Sequence, residues 1–308
     1  MSNIKRWALA TFILCFLVII AGGVVRTTQS GMGCPDWPKC FGKWIPPTNA
    51  SELPADFEKY LRKQDIDHTF NALHTWIEYI NRLLGILLGF FGLVQFAMLF
   101  FKRKEFNKPY KLAIAFLVTV ILTGLFGAIV VKLNLAHASI SVHLLFAIIL
   151  VQIQLALLLS LNKKLLTIHV NNKVRQSLFI FLILLFCQTV LGTMVRMYVD
   201  DVSKTLHYEQ RETWLAATPV AFLIHRSFSW LILAGALFLA WHCRNMQAIK
   251  NKIFVLASII LLSMITGIVL FYANMPAAAQ PVHLLLAALA LTQTVGVLLQ
   301  IKLGSKSV

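Results

Sequence analysis

The sequence predicts an all-α, polytopic membrane protein whose eight transmembrane helices form two parallel four-helix-bundle repeats. Hydrophobic residues make up 58% of the 308 positions and charged residues 13%. Eight apolar runs are long enough to cross a hydrocarbon core of ~30 Å, which takes about 20 helical residues. We predict spans at 7–25, 74–101, 112–131, 138–161, 176–195, 219–241, 253–272 and 281–301. The repeat is predicted from short motifs that recur in the two halves.

The first span follows Lys5 and Arg6, as the apolar region of a signal peptide would. Its apolar run is longer than a signal's and no small-residue cleavage pattern follows, so we expect a membrane helix. Lys and Arg are concentrated in alternate loops, such as 102–111, while most acidic residues lie in the others. This distribution predicts a multi-pass protein of the cell inner (cytoplasmic) membrane with both termini in the cytoplasm. It also explains the net charge of +16 without a nucleic-acid partner.

The longest predicted outer loop spans residues 26–70 and contains a cysteine pair. Cys34 and Cys40 lie in a turn rich in Pro and Trp, on the oxidising face of the membrane. A disulfide is permitted there, and it would be either structural or redox-active. A zinc pair is less favoured, because no second Cys or His pair follows at finger spacing.

The second predicted span opens with metal-ligand and charged residues. His74, Glu78, Asn81 and Arg82 share one helical face. Ionisable residues at membrane depth are costly and usually functional. The alternative is that Glu78 and Arg82 form a simple i,i+4 pair at the water interface.

Four motifs recur in the same order in the two halves. The first pair, Gly23–Arg26 and Thr193–Arg196, is predicted to close outward-going helices. The other pairs are Ile80–Arg82 with Ile224–Arg226, Thr123–Gly124 with Thr266–Gly267, and Val142–Leu145 with Val282–Leu285. Four helices per half is an even number, so the repeats have parallel orientation. We predict one repeat over 1–165 and the other over 166–308.

The repeated positions include candidate haem ligands. Two His that face each other across a four-helix bundle are typical axial ligands of haem iron, and His225 and His283 have matching predicted depth. The alternative is a pair of buried, hydrogen-bonded His. Four Arg at outer helix ends would contact haem propionates or anchor the helices at the interface. These are Arg26, Arg82, Arg196 and Arg226.

In the first half the matching positions are Asn81 and His143. Asn is a poor ligand for haem iron, but the same helix offers His74, roughly 10 Å away by helical rise, with Glu78 between them. This asymmetry predicts a fixed bis-His haem in the second half and a substrate haem in the first.

The motifs together resemble the haem A synthase family over essentially the whole chain. The resemblance is based on Cys34–Trp37 with Pro38, Glu78–Arg82, Leu191–Arg196, Ile224–Trp230 and the His residues of spans 4 and 8. It implies a membrane oxidoreductase that oxidises the C8 methyl of haem O to a formyl group, giving haem A for terminal oxidases.

The resemblance also implies roles for individual residues. It implies a haem b cofactor held by His225 and His283, with Arg196 and Arg226 near it. It implies haem O as substrate in the first half, with His143 as a ligand and His74, Asn81, Arg82 and Arg26 around it. Glu78 matches the essential carboxylate, which stabilises positive charge or accepts a proton. Cys34 and Cys40 match an outer-loop pair with a disulfide role in activity or substrate delivery.

The chain departs from the family pattern at two places. Asn81 stands where the family commonly has His, so His74 replaces that ligand, or His143 is the one protein ligand, or the activity is altered. A second cysteine pair is missing between 197 and 218.

The resemblance also implies partners. These are haem O synthase, terminal oxidase assembly factors and an unknown electron donor, and the sequence is compatible with a homo-oligomer. The rival functions are a di-haem electron-transfer protein and a haem-binding chaperone or transporter.

Overall fold

The computed structural model describes residues 3–61, 69–162 and 168–303, and these are almost entirely helical. The helices are α1 (Asn3–Thr27), α2 (Glu58–Leu61), α3 (Ala72–Phe100), α4 (Asn107–Lys132), α5 (His137–Ser160), α6 (Asn172–Thr205), α7 (Val220–His242), α8 (Lys250–Tyr272) and α9 (Ala279–Gln300). Two short parallel strands, β1 (Ile168–Val170) and β2 (Ile301–Leu303), pair with Ile168 opposite Ile301.

Eight of these helices, all except the short α2, are long and apolar enough to cross a membrane. A helix satisfies its own backbone N–H and C=O groups, which hydrocarbon cannot do. Large apolar side chains such as Phe90 and Leu262 are exposed on the outer faces of these helices, as lipid contact requires. The predicted all-α class with eight spans is confirmed.

Helix α6 is longer than predicted. The apolar run suggested an end at residue 195, but the helix continues to Thr205. The added turns bury Val199 and Ser203, one helical turn apart, so helical packing continues beyond the apolar stretch. Arg196 therefore lies inside α6 and does not close it. The predicted second outer loop, 197–218, begins only after Thr205.

The chain forms two compact units, Met1–Leu158 and Leu159–Val308. The predicted repeat boundary at 165/166 lies outside the described residues. In the first unit, α3 packs against α1 and α4, and two buried amides tie α5 to the bundle. Gln95 and Gln154 exchange hydrogen bonds of 3.0 and 2.8 Å, and Gln154 also donates to the Ala8 carbonyl at 2.9 Å.

In the second unit, α6, α7, α8 and α9 each pack on the next, and α9 returns to α6. This gives a closed four-helix bundle. The loop between α6 and α7 is held by an apolar cluster in which Trp214 and Leu215 contact Val199, Phe222 and Met275. The indole N–H of Trp214 donates to the Glu209 carbonyl at 2.8 Å. Apolar burial thus holds the loop that lacks the second cysteine pair.

Candidate functional site

His225 on α7 and His283 on α9 come together inside the second unit. Their ring centres are 6.4 Å apart and the ring planes are inclined by 76°. A metal ion held between two imidazoles by bonds of ~2 Å separates the ring centres by about 6 Å. The two side chains therefore fit the axial positions of a haem iron, whose porphyrin supplies the remaining ligands.

Glycines on neighbouring helices allow both rings to lie close to backbone. A Cβ atom added to Gly192 on α6 would lie 3.2 Å from Cε1 of His225. One added to Gly267 on α8 would lie 3.4 Å from Cε1 of His283. Larger residues at either position would press on a ring. The glycines therefore help to set where the two imidazoles lie.

The first unit repeats these two contacts with different side chains. A Cβ added to Gly127 on α4 would lie 3.3 Å from Cε1 of His143, and one added to Gly22 on α1 would lie 4.0 Å from Oδ1 of Asn81. Gly127, rather than the predicted Gly124, thus takes the place of Gly267; a Cβ at Gly124 would meet nothing within 4 Å. The sequence match of Thr123–Gly124 with Thr266–Gly267 was out of register by one helical turn.

His143 and Asn81 both carry buried polar atoms that find no hydrogen-bond partner among the described residues, Nδ1 and Oδ1 respectively. Leaving such an atom unpaired costs roughly 1–3 kcal/mol. Folded proteins accept that cost chiefly at binding sites, where a ligand supplies the interaction. The first unit therefore has the character of a ligand site at the position that corresponds to the His pair of the second unit.

Glu78 is buried on α3, with 4% of its surface exposed, and both carboxylate oxygens are bonded. Oε2 accepts the backbone N–H of Cys34 at 2.8 Å. Oε1 accepts from Arg82 Nη2 at 2.5 Å and from Nε at 3.2 Å. The pair is therefore more than a solvated i,i+4 contact, because the outer loop closes over it.

Arg82 uses its whole guanidinium within the protein. In addition to Glu78, it donates to the backbone carbonyls of Cys34 at 2.6 Å, Asp36 at 2.6 Å and Lys39 at 3.0 Å. A guanidinium has five N–H groups, and these bonds occupy all of them. Contact between Arg82 and a substrate stays a prediction, and it would require one of these bonds to be exchanged.

The loop also contacts α3 through its backbone. Thr75 Oγ1 lies 2.9 Å from both the Gly33 and the Asn71 carbonyls, between which its one proton is shared. Tyr79 Oη donates to the Trp44 carbonyl at 2.6 Å. Gly33 lies so close to α3 that an added Cβ would be 2.4 Å from the carbonyl oxygen of His74. Only glycine fits there. His74 itself lies in the first turn of α3, one turn before Glu78 on the same face.

Cys34 and Cys40 form a disulfide with their Cα atoms 4.8 Å apart. Both residues are fully buried, packed with Phe41 against Tyr60, Phe70 and Tyr79. Exchange of a disulfide requires access to one of its sulfurs. Burial therefore favours the structural alternative for the closed loop. Asp36, between the two cysteines, accepts the N–H groups of Phe41 at 2.6 Å and Gly42 at 3.0 Å and so fixes the turn.

A second tie in the same loop lies outside the membrane spans. The N–H and hydroxyl of Thr48 donate to Glu52, both at 2.8 Å. These bonds stabilise the ionised carboxylate and lower the pKa of Glu52 below its ordinary value.

The remaining predicted arginines differ in their surroundings. Arg196 is mostly buried and forms an ion pair with Asp200 at 3.0 Å. It also bonds Gln280, one turn before His283 on α9. Arg226 is exposed, with its guanidinium over the Phe222 ring at 5.6 Å. Arg26 lies in the last turn of α1, as predicted. The geometry thus associates Arg196 with the helix that carries His283.

Comparison with known proteins gives a match over nearly the whole chain. The family described as "Cytochrome oxidase assembly protein" (COX15-CtaA) matches residues 5–295. The chain belongs to this family.

Three relatives found by sequence comparison are named Heme A synthase. The protein of Orientia tsutsugamushi (strain Boryong) is 24% identical, over 93% of this chain and 92% of its own length. That of Flavobacterium psychrophilum is 22% identical over 95% and 96%. The Shewanella oneidensis protein is 30% identical over 48% of this chain and 43% of its own length. The Orientia and Flavobacterium relatives thus align with both units of this chain.

Sequence reasoning missed several contacts of this candidate site. Thr266 contacts the His283 ring, and Thr75 and Gly33 fasten the outer loop. Thr266 was named as part of the recurring Thr266–Gly267 motif, but its contact with His283 was not predicted. Nothing in the sequence indicated that the carbonyls of Cys34, Asp36 and Lys39 converge on Arg82, because backbone groups leave no pattern in side-chain identity.

Proposed function

We propose that the protein is a haem A synthase, which oxidises the C8 methyl of haem O to a formyl group. The observation that carries the proposal is the difference between two corresponding sites. The second unit offers two imidazoles, His225 and His283. The first offers one imidazole, His143, with Asn81 in the other place and the buried carboxylate Glu78 one turn from Asn81. Membership of the COX15-CtaA family and the name of its relatives support the same reading.

In this proposal His225 and His283 of the second unit would hold haem b as cofactor through its iron, and Arg196 would bind one of its carboxylates. When bound, the haem b supplies an iron that exchanges electrons. The protein contributes ligand orientation, because glycines on α6 and α8 let both rings approach the helix backbone. The outer loop of this unit packs on the bundle through Trp214.

The first unit is the proposed substrate domain. His143 binds the iron of haem O, and Glu78 faces the edge that is oxidised. Oxidation of a methyl group to a formyl group adds one oxygen atom and removes four electrons, which an external electron acceptor takes up. Hydrogens leave the carbon as protons, and positive charge builds at that carbon. A carboxylate fixed by Arg82 and the Cys34 N–H is suited to stabilise that charge or to receive a proton through Oε2. His74, Asn81 and Arg26 remain proposed contacts of this substrate.

The test is haem analysis. The protein is expressed with a supply of haem O, and extracted haems are identified by mass. Hydroxylated or formyl haem is the expected result. Unmodified haem from a folded, haem-loaded protein overturns the proposal and leaves electron transfer or haem carriage as the function. Glu78→Gln, which keeps the shape but removes the charge, should retain the low-spin haem spectrum and lose product. Normal turnover in this variant removes Glu78 from the mechanism.

The ligand assignments have separate tests. His225→Ala or His283→Ala should abolish the stable low-spin haem signal, and an unchanged spectrum in either defeats the assignment. His74→Ala should alter haem O binding more than Asn81→Ala if His74 supplies the ligand that Asn81 cannot. The opposite order assigns the contact to Asn81.

We also propose that the protein lies in the inner membrane with both termini in the cytoplasm, because basic residues concentrate in loops such as 102–111. The loop that carries the buried disulfide then faces the oxidising side. Reporter fusions at the C-terminus and after residue 50 should report opposite sides of the membrane. Fusions that report the same side contradict this orientation.

A further inference from the structure

The imidazole of His283 has a hydrogen-bond partner on the neighbouring helix that no family resemblance assigned. Thr266 Oγ1 lies 2.9 Å from His283 Nδ1. The same hydroxyl donates to the Ser263 carbonyl at 2.8 Å. The Ser263 carbonyl also accepts a hydrogen bond from the His283 ring. A carbonyl can only accept, so Nδ1 carries the hydrogen and shares it between the Ser263 carbonyl and Thr266 Oγ1.

This arrangement fixes the chemistry of the opposite side of the ring. A neutral imidazole has one N–H, so protonation at Nδ1 leaves a lone pair on Nε2. Gly267, the next residue on α8, lies against Cε1 of the same ring and limits its movement. Metal-bound His side chains commonly donate their second N–H in this way, which orients the ring and makes the ligand more basic.

The first unit lacks this partner. By its glycine contact, Gly127 corresponds to Gly267, so Phe126 stands where the second unit has Thr266. Phe126 packs on Phe146 with ring centres 5.5 Å apart and has no hydroxyl to offer. Thr123, the sequence match of Thr266, donates to the Thr119 carbonyl at 2.7 Å. His143 Nδ1 stays buried without a partner among the described residues.

We propose that Thr266 is a positioning residue that locks His283 as a permanent haem ligand, and that Phe126 in the corresponding place leaves His143 as an exchangeable one. This inference rests on the proposed function. It concerns the pair His283 and His143, since Nδ1 of His225 is also buried without a partner among the described residues. Thr266 acts through His283 and touches no reacting atom.

The experiment measures haem retention and the low-spin haem spectrum of the purified full-length protein. Thr266→Val keeps the shape and removes the hydroxyl. Second-shell changes of this kind weaken metal binding about 10- to 100-fold, so haem should transfer to an excess of apomyoglobin about 10- to 100-fold faster than from the parent. The electron paramagnetic resonance signal of the low-spin haem should shift, because the ligand is less basic and its ring less ordered.

Controls separate this role from folding. Thr266→Ser restores a hydroxyl and should return both the transfer rate and the spectrum to those of the parent. Thr123→Val removes a hydroxyl whose bond, within the described part of the chain, is to the Thr119 carbonyl of its own helix, and it should change neither. Circular dichroism and thermal melting of each variant report whether the bundle is intact. A folded Thr266→Val protein with the transfer rate and spectrum of the parent overturns the inference.

His283→Ala distinguishes failure of this inference from failure of the proposed function. If His283→Ala loses the low-spin signal while Thr266→Val keeps it unchanged, Thr266 has no positioning role and the ligand assignment stands. If His283→Ala keeps the signal, the ligand assignment itself fails, and this inference fails with it.

Discussion

Replacing Arg82 by Met should open the outer loop that covers Glu78. Methionine keeps an apolar stem of similar length but removes all five hydrogen bonds to Glu78 and to the loop carbonyls. The Arg82 and Glu78 side chains are only 12% and 5% exposed. Removing one member of a buried ion pair costs roughly 3–5 kcal/mol. At about 1.4 kcal/mol per factor of ten, the lower end makes the open loop about 100-fold more populated.

Reduction of the buried disulfide measures that opening, since Cys34 and Cys40 are inaccessible in the closed loop. Free thiols are first blocked with N-ethylmaleimide. A water-soluble phosphine is then added, and newly released thiols are counted over time by maleimide labelling and mass. Arg82→Met should be reduced about 100-fold faster than the parent protein. Arg226→Met, at an exposed arginine on α7, is the matched control and should react at the parent rate.

A double variant tests the reasoning further. In Glu78→Gln/Arg82→Met the uncompensated buried charge is gone, so part of the lost protection should return even though the carbonyls stay unpaired. If the disulfide of the single Arg82→Met protein is reduced within about threefold of the parent rate, Arg82 does not hold the loop closed. In that case the apolar packing of Phe41 alone holds the loop closed.

Three further predictions concern packing. Gly33→Ala in the outer loop should expose the same disulfide to reduction, because its Cβ would lie 2.4 Å from α3 backbone that cannot yield. Gly85→Ala on α3 meets nothing within 4 Å and should leave the reduction rate unchanged; equal rates for the two variants would contradict this. Gln154→Leu leaves the Gln95 amide unpaired and should lower the free energy of unfolding by roughly 1–3 kcal/mol. The double variant Gln95→Leu/Gln154→Leu should recover part of that stability in a thermal melt. Without recovery, the shape of the two side chains and not their hydrogen bonding would set the stability. Trp214→Ala should lower the free energy of unfolding by roughly 3–5 kcal/mol in the same melting assay. Trp44 is 67% exposed, so Trp44→Ala should lower it by almost nothing. Similar losses in the two variants would mean that burial does not set the cost.

Helix number was predictable from sequence because a membrane span must be both long and apolar. Bounds were less so, since α6 continues to Thr205 through residues that are no longer uniformly apolar. Burial of Val199 and Ser203 against the loop, rather than hydropathy, decides that length. Strands β1 and β2 were not anticipated, because three-residue segments carry no usable periodicity.

The site was predicted as far as residue identity allowed. His225 and His283 were paired because motifs recur, and their rings do meet. The alignment of α4 with α8 was not predictable from a Thr–Gly match, since α4 has two glycines one turn apart, Gly124 and Gly127, that could each match Gly267 of α8. Only the contact between Gly127 and His143 sets that alignment. Likewise, Glu78 and Arg82 were recognised as a pair, but their shared attachment to the Cys34 backbone depends on loop conformation.

The two units place their functional side chains by different physical means. In the second unit the His residues are set by contacts between rigid helices, Gly192 with His225 and Thr266 and Gly267 with His283. In the first, the partners of Glu78 are Arg82 and the backbone of a loop closed by a disulfide. Loops open at lower free energy than packed helices. A site that must admit and release a large substrate gains from a loop partner, whereas a retained cofactor requires helix partners. Phe126 and Thr266 differ in the same sense. Thr266 holds the His283 ring through a hydrogen bond, whereas Phe126 offers His143 no such bond.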